Sequence, residues 1–220
     1  MVVIIVLGSC KQKAETTKPQ AKEPIEAIQV VEPLSKTIKE LVEFAGISLT
    51  DSTNINDIIG FKQLDKYDAI SSVQMNQAVK LYKKMMKREQ EHAWPIFEIK
   101  NTDNVILPVK GIGFGGPIWA KVMVDRKELE INKIEFEHSA ESEGYGAAMT
   151  RSSFEKQFVG TKIDLDKNTF GLQQHIEKRT DDGRIVDGIS GATATSEGVV
   201  EMLNLGLQKY SAYFKENGTD

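Results

Sequence analysis

The residues best suited to chemistry form a ten-residue segment, Asp187-Gly188-Ile189-Ser190-Gly191-Ala192-Thr193-Ala194-Thr195-Ser196. It holds two glycines, four hydroxyl side chains and one carboxylate, and apolar residues at helical spacing follow it to about Phe214. A tight loop that leads into a helix presents unpaired N–H groups and the positive end of the helix dipole, which suit a phosphate. The glycines let the backbone approach an anion, and the hydroxyls can bind it or be esterified by it. An ordinary helix cap at Thr195 or Ser196 would need the same residue types, so both interpretations stay open at this point.

The sequence Asp-Gly-Ile-Ser-Gly-Ala-Thr in this segment resembles the flavinylation motif of the FMN-binding domain family. That family includes the C subunit of the sodium-translocating NADH:quinone reductase and the G subunit of the Rnf complex. Its members carry FMN on the last threonine of the motif, where a separate flavin transferase makes the phosphoester from FAD. The resemblance therefore implies covalent FMN on Thr193, with Thr195 as the second choice. The other motif residues are expected to contact the flavin or to be recognised by the transferase: Asp187, Ser190, Gly191 and Ala192.

A second segment, residues 138–146, resembles the family loop His-x-x-Glu-Thr-Pro-Gly-Leu-Gly, which lies against the isoalloxazine ring in relatives. Flavin contacts are implied for Glu141, Ser142, Gly144 and Tyr145. Tyr145 is expected either to stack on the ring or to pack on its own domain. Glu143 replaces the proline of the family, which removes a stiff residue and adds a charge. His138 could act as a base, but a lone histidine at a strand end is more typical of a structural residue.

A glycine-rich segment, Gly111-Ile-Gly-Phe-Gly-Gly-Pro-Ile-Trp119, superficially suggests a dinucleotide-binding loop. We reject that interpretation because the glycine spacing differs and the residues that follow predict a strand, not a helix. The segment resembles the Gly-x-Gly-x-x-Gly-Pro-Ile-Trp signature of the same flavin family. The resemblance implies a scaffold and part of the flavin wall, including Trp119. Glycines that allow close packing and a tryptophan in the core remain the alternative.

Apolar residues alternate with polar ones from about residue 94, which predicts β-strands and hairpins over residues 94–136 and a short strand at 185–186. Helical periodicity predicts one helix after Pro33, a short helix within residues 51–70 and another over residues 73–88. We therefore predict an α+β fold: an antiparallel sheet of five or six strands with helices packed on one side and a long C-terminal helix after the flavin loop.

A chain of 220 residues is long enough for one principal domain with an extension. The predicted organisation is a signal peptide (1–9), a flexible tether (10–33), an N-terminal helical part (34–92) and an FMN-binding domain (93–216). The net charge of −4 argues against a nucleic-acid partner, because phosphate backbones need a basic face.

The N-terminus carries a short apolar run that ends in Leu7-Gly8-Ser9-Cys10. The run is too short to span a bilayer and is similar to a bacterial lipoprotein signal, in which Cys10 becomes the lipidated first residue. No Lys or Arg precedes the run, which is atypical, and a chance apolar N-terminus with a buried thiol is the alternative. A single cysteine rules out an intramolecular disulfide and a cysteine-built metal site.

The resemblances together imply a covalent-FMN electron carrier that corresponds to the C subunit of a sodium-translocating NADH:quinone reductase. Its expected place is the cell envelope, lipid-anchored on the extracytoplasmic (periplasmic) side. Its expected partners are other membrane redox subunits and a flavin transferase. The two alternatives are a free-standing flavinylated lipoprotein that shuttles electrons for another reductase and a flavin-free binding module. An electron carrier of this kind requires no catalytic residues of its own, because the flavin supplies the chemistry.

Overall fold

The computed structural model describes residues 34–50, 53–87, 92–173 and 183–217. The predicted signal peptide, the tether and Cys10 lie outside the described residues. The central feature is a six-stranded antiparallel sheet in the order β2-β1-β3-β4-β5-β6. The strands are β1 (Ile59–Asp65), β2 (Ile70–Ser72), β3 (Ala93–Ile99), β4 (Asn104–Ile112), β5 (Pro117–Asp125) and β6 (Glu130–His138).

Successive side chains of each strand point to opposite faces of the sheet, and both faces are apolar. On β4, Val105, Leu107 and Val109 belong to one buried cluster, whereas Ile106 belongs to another. The first cluster is covered by helix α5 (Thr193–Gln208), which packs mainly on β4. The predicted α+β fold, with an antiparallel sheet and a long C-terminal helix packed on it, is confirmed.

The opposite face of the sheet is also covered by helices. Helices α1 (Lys36–Phe44) and α3 (Met75–Met85) share a buried cluster with Phe97 and Ile106. The sequence analysis places helices on one side of the sheet only, whereas the structure has them on both sides. The apolar residues of the second face come from different strands and form one surface with α1 and α3 only when the strands are paired.

The segment 51–70, for which the sequence predicts one short helix, contains both a helix and a strand. A four-residue helix α2 (Ile55–Ile58) leads directly into β1. Strand β1 pairs with β3 along its whole length, from Ile59 opposite Ile99 to Asp65 opposite Ala93. Ile59 and Phe61 are two residues apart, as residues on one face of a strand are. Both are buried against α1 and α3, and this burial favours a strand over the predicted helix.

The remaining elements connect the sheet to α5. They are a 3₁₀ helix (Gly146–Thr150), α4 (Ser152–Glu155), β7 (Phe170–Leu172), β8 (Arg184–Val186) and, after α5, helix α6 (Ser211–Asn217). Strands β7 and β8 form a parallel pair, which confirms the predicted short strand before Asp187. The predicted single C-terminal helix is divided at Tyr210, whose hydroxyl donates to the carbonyls of Pro95 and Pro108 at 3.3 and 2.8 Å. Across the described ranges, no helix has the length and apolar character that crossing a membrane requires.

Candidate functional site

A cavity of about 490 Å³ lies at the N-terminus of α5. Its volume is within the range of small-molecule sites in proteins. Three distant segments meet around it: the turn between β4 and β5, the loop after β6 and the first turn of α5. The lining residues are Phe114, Glu141, Ser142, Tyr145, Gly146, Gly191, Ala192, Thr193, Ala194 and Thr195.

Most of the site residues chosen from the sequence line this cavity, and four do not. Gly144 lies within the loop after β6, and Asp187 and Ser190 belong to the segment before α5. Trp119 lies between Ile118 and Ala120, which face α5, so strand alternation puts Trp119 on the opposite face of the sheet. The sequence analysis does not select Phe114, Gly146 or Ala194, although all three fall within segments that it singles out.

Thr193 and Thr195 differ sharply in their surroundings. Thr193 is the first residue of α5, is exposed, and its hydroxyl has no hydrogen-bond partner among the described residues. Thr195 is 1% exposed, and its hydroxyl donates to Glu141 Oε2 at 2.8 Å. The hydroxyl of Thr193 is therefore available for esterification, whereas that of Thr195 is engaged inside the protein.

Helix α5 does not use Thr195 or Ser196 as a cap, since it begins before both of them. The residue at the cap position is Ala192, which has no side-chain cap hydrogen bond. Ser196 instead ties the loop to the helix: its Oγ donates to the Ala192 carbonyl at 2.9 Å and accepts from the Ile189 N–H at 2.8 Å. The first N–H groups of a helix have no partner within the helix, so this end of α5 suits an anion.

Glu141 joins the three segments of the site. Its Oε1 accepts from the Gly115 N–H at 2.7 Å, and its Oε2 accepts from Thr195. The backbone N–H of Glu141 donates to His138 Nδ1 at 3.2 Å, which gives His138 a structural role in this loop. Glu141 is only 8% exposed, and each of its carboxylate oxygens has a donor, as a buried carboxylate requires.

Glycines make room for the Glu141 side chain. A Cβ at Gly113 would collide with Glu141 Oε1, and a Cβ at Gly146 would collide with Glu141 Oε2. A Cβ at Gly115 would likewise collide with the carbonyl oxygen of Ala140. The glycine-rich segment thus serves close packing of the β4–β5 turn on the loop after β6. Phe114, which lies within it and is 84% exposed, is the residue of this segment that lines the cavity.

Two aromatic rings border the cavity. Tyr145 is 57% exposed, and its ring lies over Gly191, where a Cβ would come within 3.0 Å of Tyr145 Cδ1. Gly191 has a φ of +73°, a conformation that side chains rarely adopt, so a glycine is favoured there on both grounds. Tyr145 and Phe114 offer exposed aromatic surface to a flat, largely apolar ring system. Together with a free hydroxyl at a helix N-terminus, this set of groups fits a phosphorylated flavin.

Known proteins are similar to this chain in the part that forms the cavity. Residues 113–208 match the family model of the FMN-binding domain, and this range contains every residue that lines the cavity. The chain is 32% identical over 102 residues to the C subunit of the Na⁺-translocating NADH-quinone reductase from Haemophilus ducreyi. It is 33% identical over 109 residues to the same protein from Vibrio vulnificus. The matches span 40% and 42% of the relatives' own length and less than half of this chain.

Two solved structures share the fold over most of the chain. The C subunit of the Na⁺-translocating NADH-quinone reductase from Parabacteroides distasonis superposes with a TM-score of 0.61 at 24% identity, covering 81% of this chain and 90% of its own. NqrC from Shewanella oneidensis gives a TM-score of 0.62 at 17% identity, covering 83% and 98%. The chain is thus distantly similar to these proteins in sequence and shares their fold.

Proposed function

Because residues 113–208 carry the pattern of an FMN-binding domain, we propose that this protein is an electron carrier with FMN attached covalently to Thr193. The observation that carries the proposal is the exposed, unbonded hydroxyl of Thr193 at the start of α5, in a cavity bordered by aromatic rings. When bound, FMN supplies one- and two-electron chemistry at its ring, while the protein supplies position and surroundings.

The residues of the cavity divide into those suited to a phosphate and those suited to a ring. The first turn of α5, with Thr193 at its start, provides N–H groups and the positive end of the dipole for the phosphate. Phe114 and Tyr145 provide apolar surface for the ring and shield it from water. Glu141 holds the loop after β6 against α5 and the β4–β5 turn, which keeps these walls in place.

Attachment requires a group transfer that a separate flavin transferase would catalyse. The Oγ1 of Thr193 forms a bond to the phosphorus atom of the FMN half of FAD, and the pyrophosphate bond of FAD breaks. AMP leaves, and the hydroxyl proton passes to the transferase. The exposure of Thr193 allows such an enzyme to reach this hydroxyl without unfolding α5.

We further propose a place for the carrier in the cell: the extracytoplasmic side of the membrane, held by lipid on Cys10, where it would serve as the C subunit of a Na⁺-translocating NADH:quinone reductase. The similarity to that protein supports the subunit assignment, whereas the lipid anchor and the location are proposed from Leu7-Gly8-Ser9-Cys10 alone. The match covers well under half of those relatives, so a free-standing electron shuttle shares the same support. Purification of the tagged chain from native membranes separates the two, because only a component of the reductase would bring other reductase chains with it. Lipid on Cys10 would appear as added mass on the N-terminal peptide.

Flavin attachment is tested by expressing the chain with an active flavin transferase. We expect a fluorescent band on a denaturing gel and an intact mass increased by one FMN. Thr193→Ala should abolish both signals, Thr193→Ser should keep part of the label, and Thr195→Ala should remain labelled. Label that survives Thr193→Ala would refute the site, and an unlabelled wild-type chain would favour the flavin-free binding module.

A further inference from the structure

Four lysines form a stripe that runs along the solvent side of α3 and just past its C-terminal end. Lys80, Lys83, Lys84 and Lys87 recur at the spacing of one helix face and line a shallow depression of about 380 Å³ with Asn76 and Val79. All four are exposed, and α3 contains no acidic residue. In the described part of the chain, no carboxylate pairs with any of them. We call these four residues the lysine face.

Helix stability alone does not account for the lysine face. Lys83 and Lys84 in the last turn of α3 interact favourably with the helix dipole, but Lys80 lies a turn earlier and Lys87 lies beyond the helix.

The carboxylates that act on Tyr82, in the same helix, have cationic partners elsewhere. Glu40 on α1 pairs with Lys36 at 3.2 Å. Glu135 and Glu137 on β6 both pair with the largely buried Lys121, at 3.0 and 3.3 Å. Within the described ranges, a chain with a net charge of −4 thus presents a basic surface that these carboxylates do not compensate.

The position of the lysine face in the fold indicates what it meets. Helix α3 packs on the same side of the sheet as α1, and Leu34, the first described residue, packs against their shared cluster. Leu34, where the described chain begins, therefore lies on the same side of the sheet as the lysine face. The cavity at Thr193 is built by elements that pack on the other side. A redox partner on the lysine face would have the sheet between itself and the cavity, whereas a lipid surface would leave the cavity open.

We propose that the lysine face binds the headgroups of anionic phospholipids and holds the domain against the membrane with the flavin cavity turned away. Lysines close to an anionic bilayer are attracted by its surface potential, and the attraction adds up over several side chains. Lipid on Cys10 would bring this face within reach of the headgroups. The proposal therefore uses the proposed anchor but does not depend on the flavin.

The test uses the full chain with Cys10→Ser, which prevents lipidation and leaves every described residue unchanged. Co-sedimentation is measured with phosphatidylcholine vesicles that contain or lack phosphatidylglycerol, at low and at high salt. We expect binding only to the anionic vesicles and a loss of binding at high salt, because screening weakens interactions between exposed charges. Binding that ignores vesicle charge, or no binding at low salt, overturns the proposal.

Matched charge reversals locate the binding surface. In the same Cys10→Ser chain, Lys80→Glu with Lys84→Glu should weaken binding at least about tenfold. The control is Lys156→Glu with Lys167→Glu, an identical change in charge at two exposed lysines on the α5 side of the sheet, and it should change binding less than about twofold. Equal losses in the two variants would contradict the assignment. Circular dichroism of both variants checks that they fold.

Two further measurements separate this proposal from its rivals. Retention on poly-glutamate through the same lysines, without binding to anionic vesicles, would overturn the lipid proposal and assign the face to an acidic protein. Flavin on Thr193 is measured by intact mass in the same variants after coexpression with an active flavin transferase. An unlabelled chain that still binds anionic vesicles through Lys80 and Lys84 refutes the flavin proposal and supports the lysine face.

Discussion

At the scale of single residues, the two threonines that begin α5 have opposite roles. Thr195 satisfies a buried carboxylate oxygen of Glu141, and Thr193 makes no such bond among the described residues. Thr195→Val keeps the side-chain shape but removes that donor. We expect it to lower the free energy of unfolding by about 1–3 kcal/mol, because Glu141 Oε2 is left unsatisfied in a buried site. Urea denaturation of the flavin-free chain measures the change.

The same substitution two residues earlier is the control for this experiment. Thr193→Val should stay within about 0.5 kcal/mol of the wild type, as exposed positions without partners usually do. Equal destabilisation by the two variants would mean that the bond between Thr195 and Glu141 contributes nothing to stability.

The sequence selects Thr193 through a motif, but it does not reveal what Thr195 does. The hydroxyl of Thr195 is bonded to a residue 54 positions away, and no local pattern encodes such a contact. The same holds for Gly113 and Gly146, whose missing side chains make room for Glu141. A glycine motif shows that space is needed, whereas the neighbour that fills the space is known only from the fold.

At the scale of elements, the site depends on how closely α5 approaches the end of β4. A Cβ at Gly198 would collide with the carbonyl of Ile112, and one at Gly111 would lie 2.6 Å from Met202 Cβ. Gly198→Ala would favour an isolated helix by about 1 kcal/mol. We nevertheless expect it to destabilise the protein by about 1–3 kcal/mol, because backbone atoms of two packed elements must move apart.

Thermal and urea unfolding of Gly198→Ala give the sign of the change. Glu201→Ala, at an exposed position one turn further along α5, is the control and should be neutral or slightly stabilising. If Gly198→Ala were as stable as the control, the helix and the hairpin end would not be in close contact. Loss of flavin labelling in Gly198→Ala alone would further connect this contact to the cavity.

Local patterns predict most of the elements but not how they are arranged. Two-residue alternation predicts strands in the segments of β3 to β6, and helical spacing predicts most of α1, α3 and α5. The pattern does not distinguish β1 from a helix, because Ile55, Ile58 and Ile59 have helical spacing, whereas Ile59 and Phe61 have the spacing of a strand. Strands β7 and β8 are each only three residues long. Their parallel pairing is a contact between two separate segments, and the alternation of residues within one strand does not predict it.

At the scale of the whole molecule, the sheet is buried between two helical layers, and each layer encloses a tyrosine with a perturbed pKa. Burial, and then the negative charges of Glu137, Glu40 and Glu135, raise the pKa of Tyr82 well above its ordinary value of 10.0. Burial, and then the hydrogen bond to Glu98, raise the pKa of Tyr213 in the same direction. In the unfolded chain both phenols lose their protons near pH 10, so the folded state binds more protons at alkaline pH.

The stability that these phenols contribute is therefore fully present below pH 10 and is lost as the pH rises toward their folded pKa values. We expect the free energy of unfolding to fall above pH 10 by up to about 1.4 kcal/mol per pH unit for each tyrosine. Tyr82→Phe should make this fall less steep by one such contribution. Tyr67→Phe, at a ring that is 77% exposed, is the control and should follow the wild-type profile. Urea unfolding between pH 8 and 11 distinguishes the outcomes, since parallel profiles for Tyr82→Phe and the wild type would show that the Tyr82 phenol does not link folding to pH.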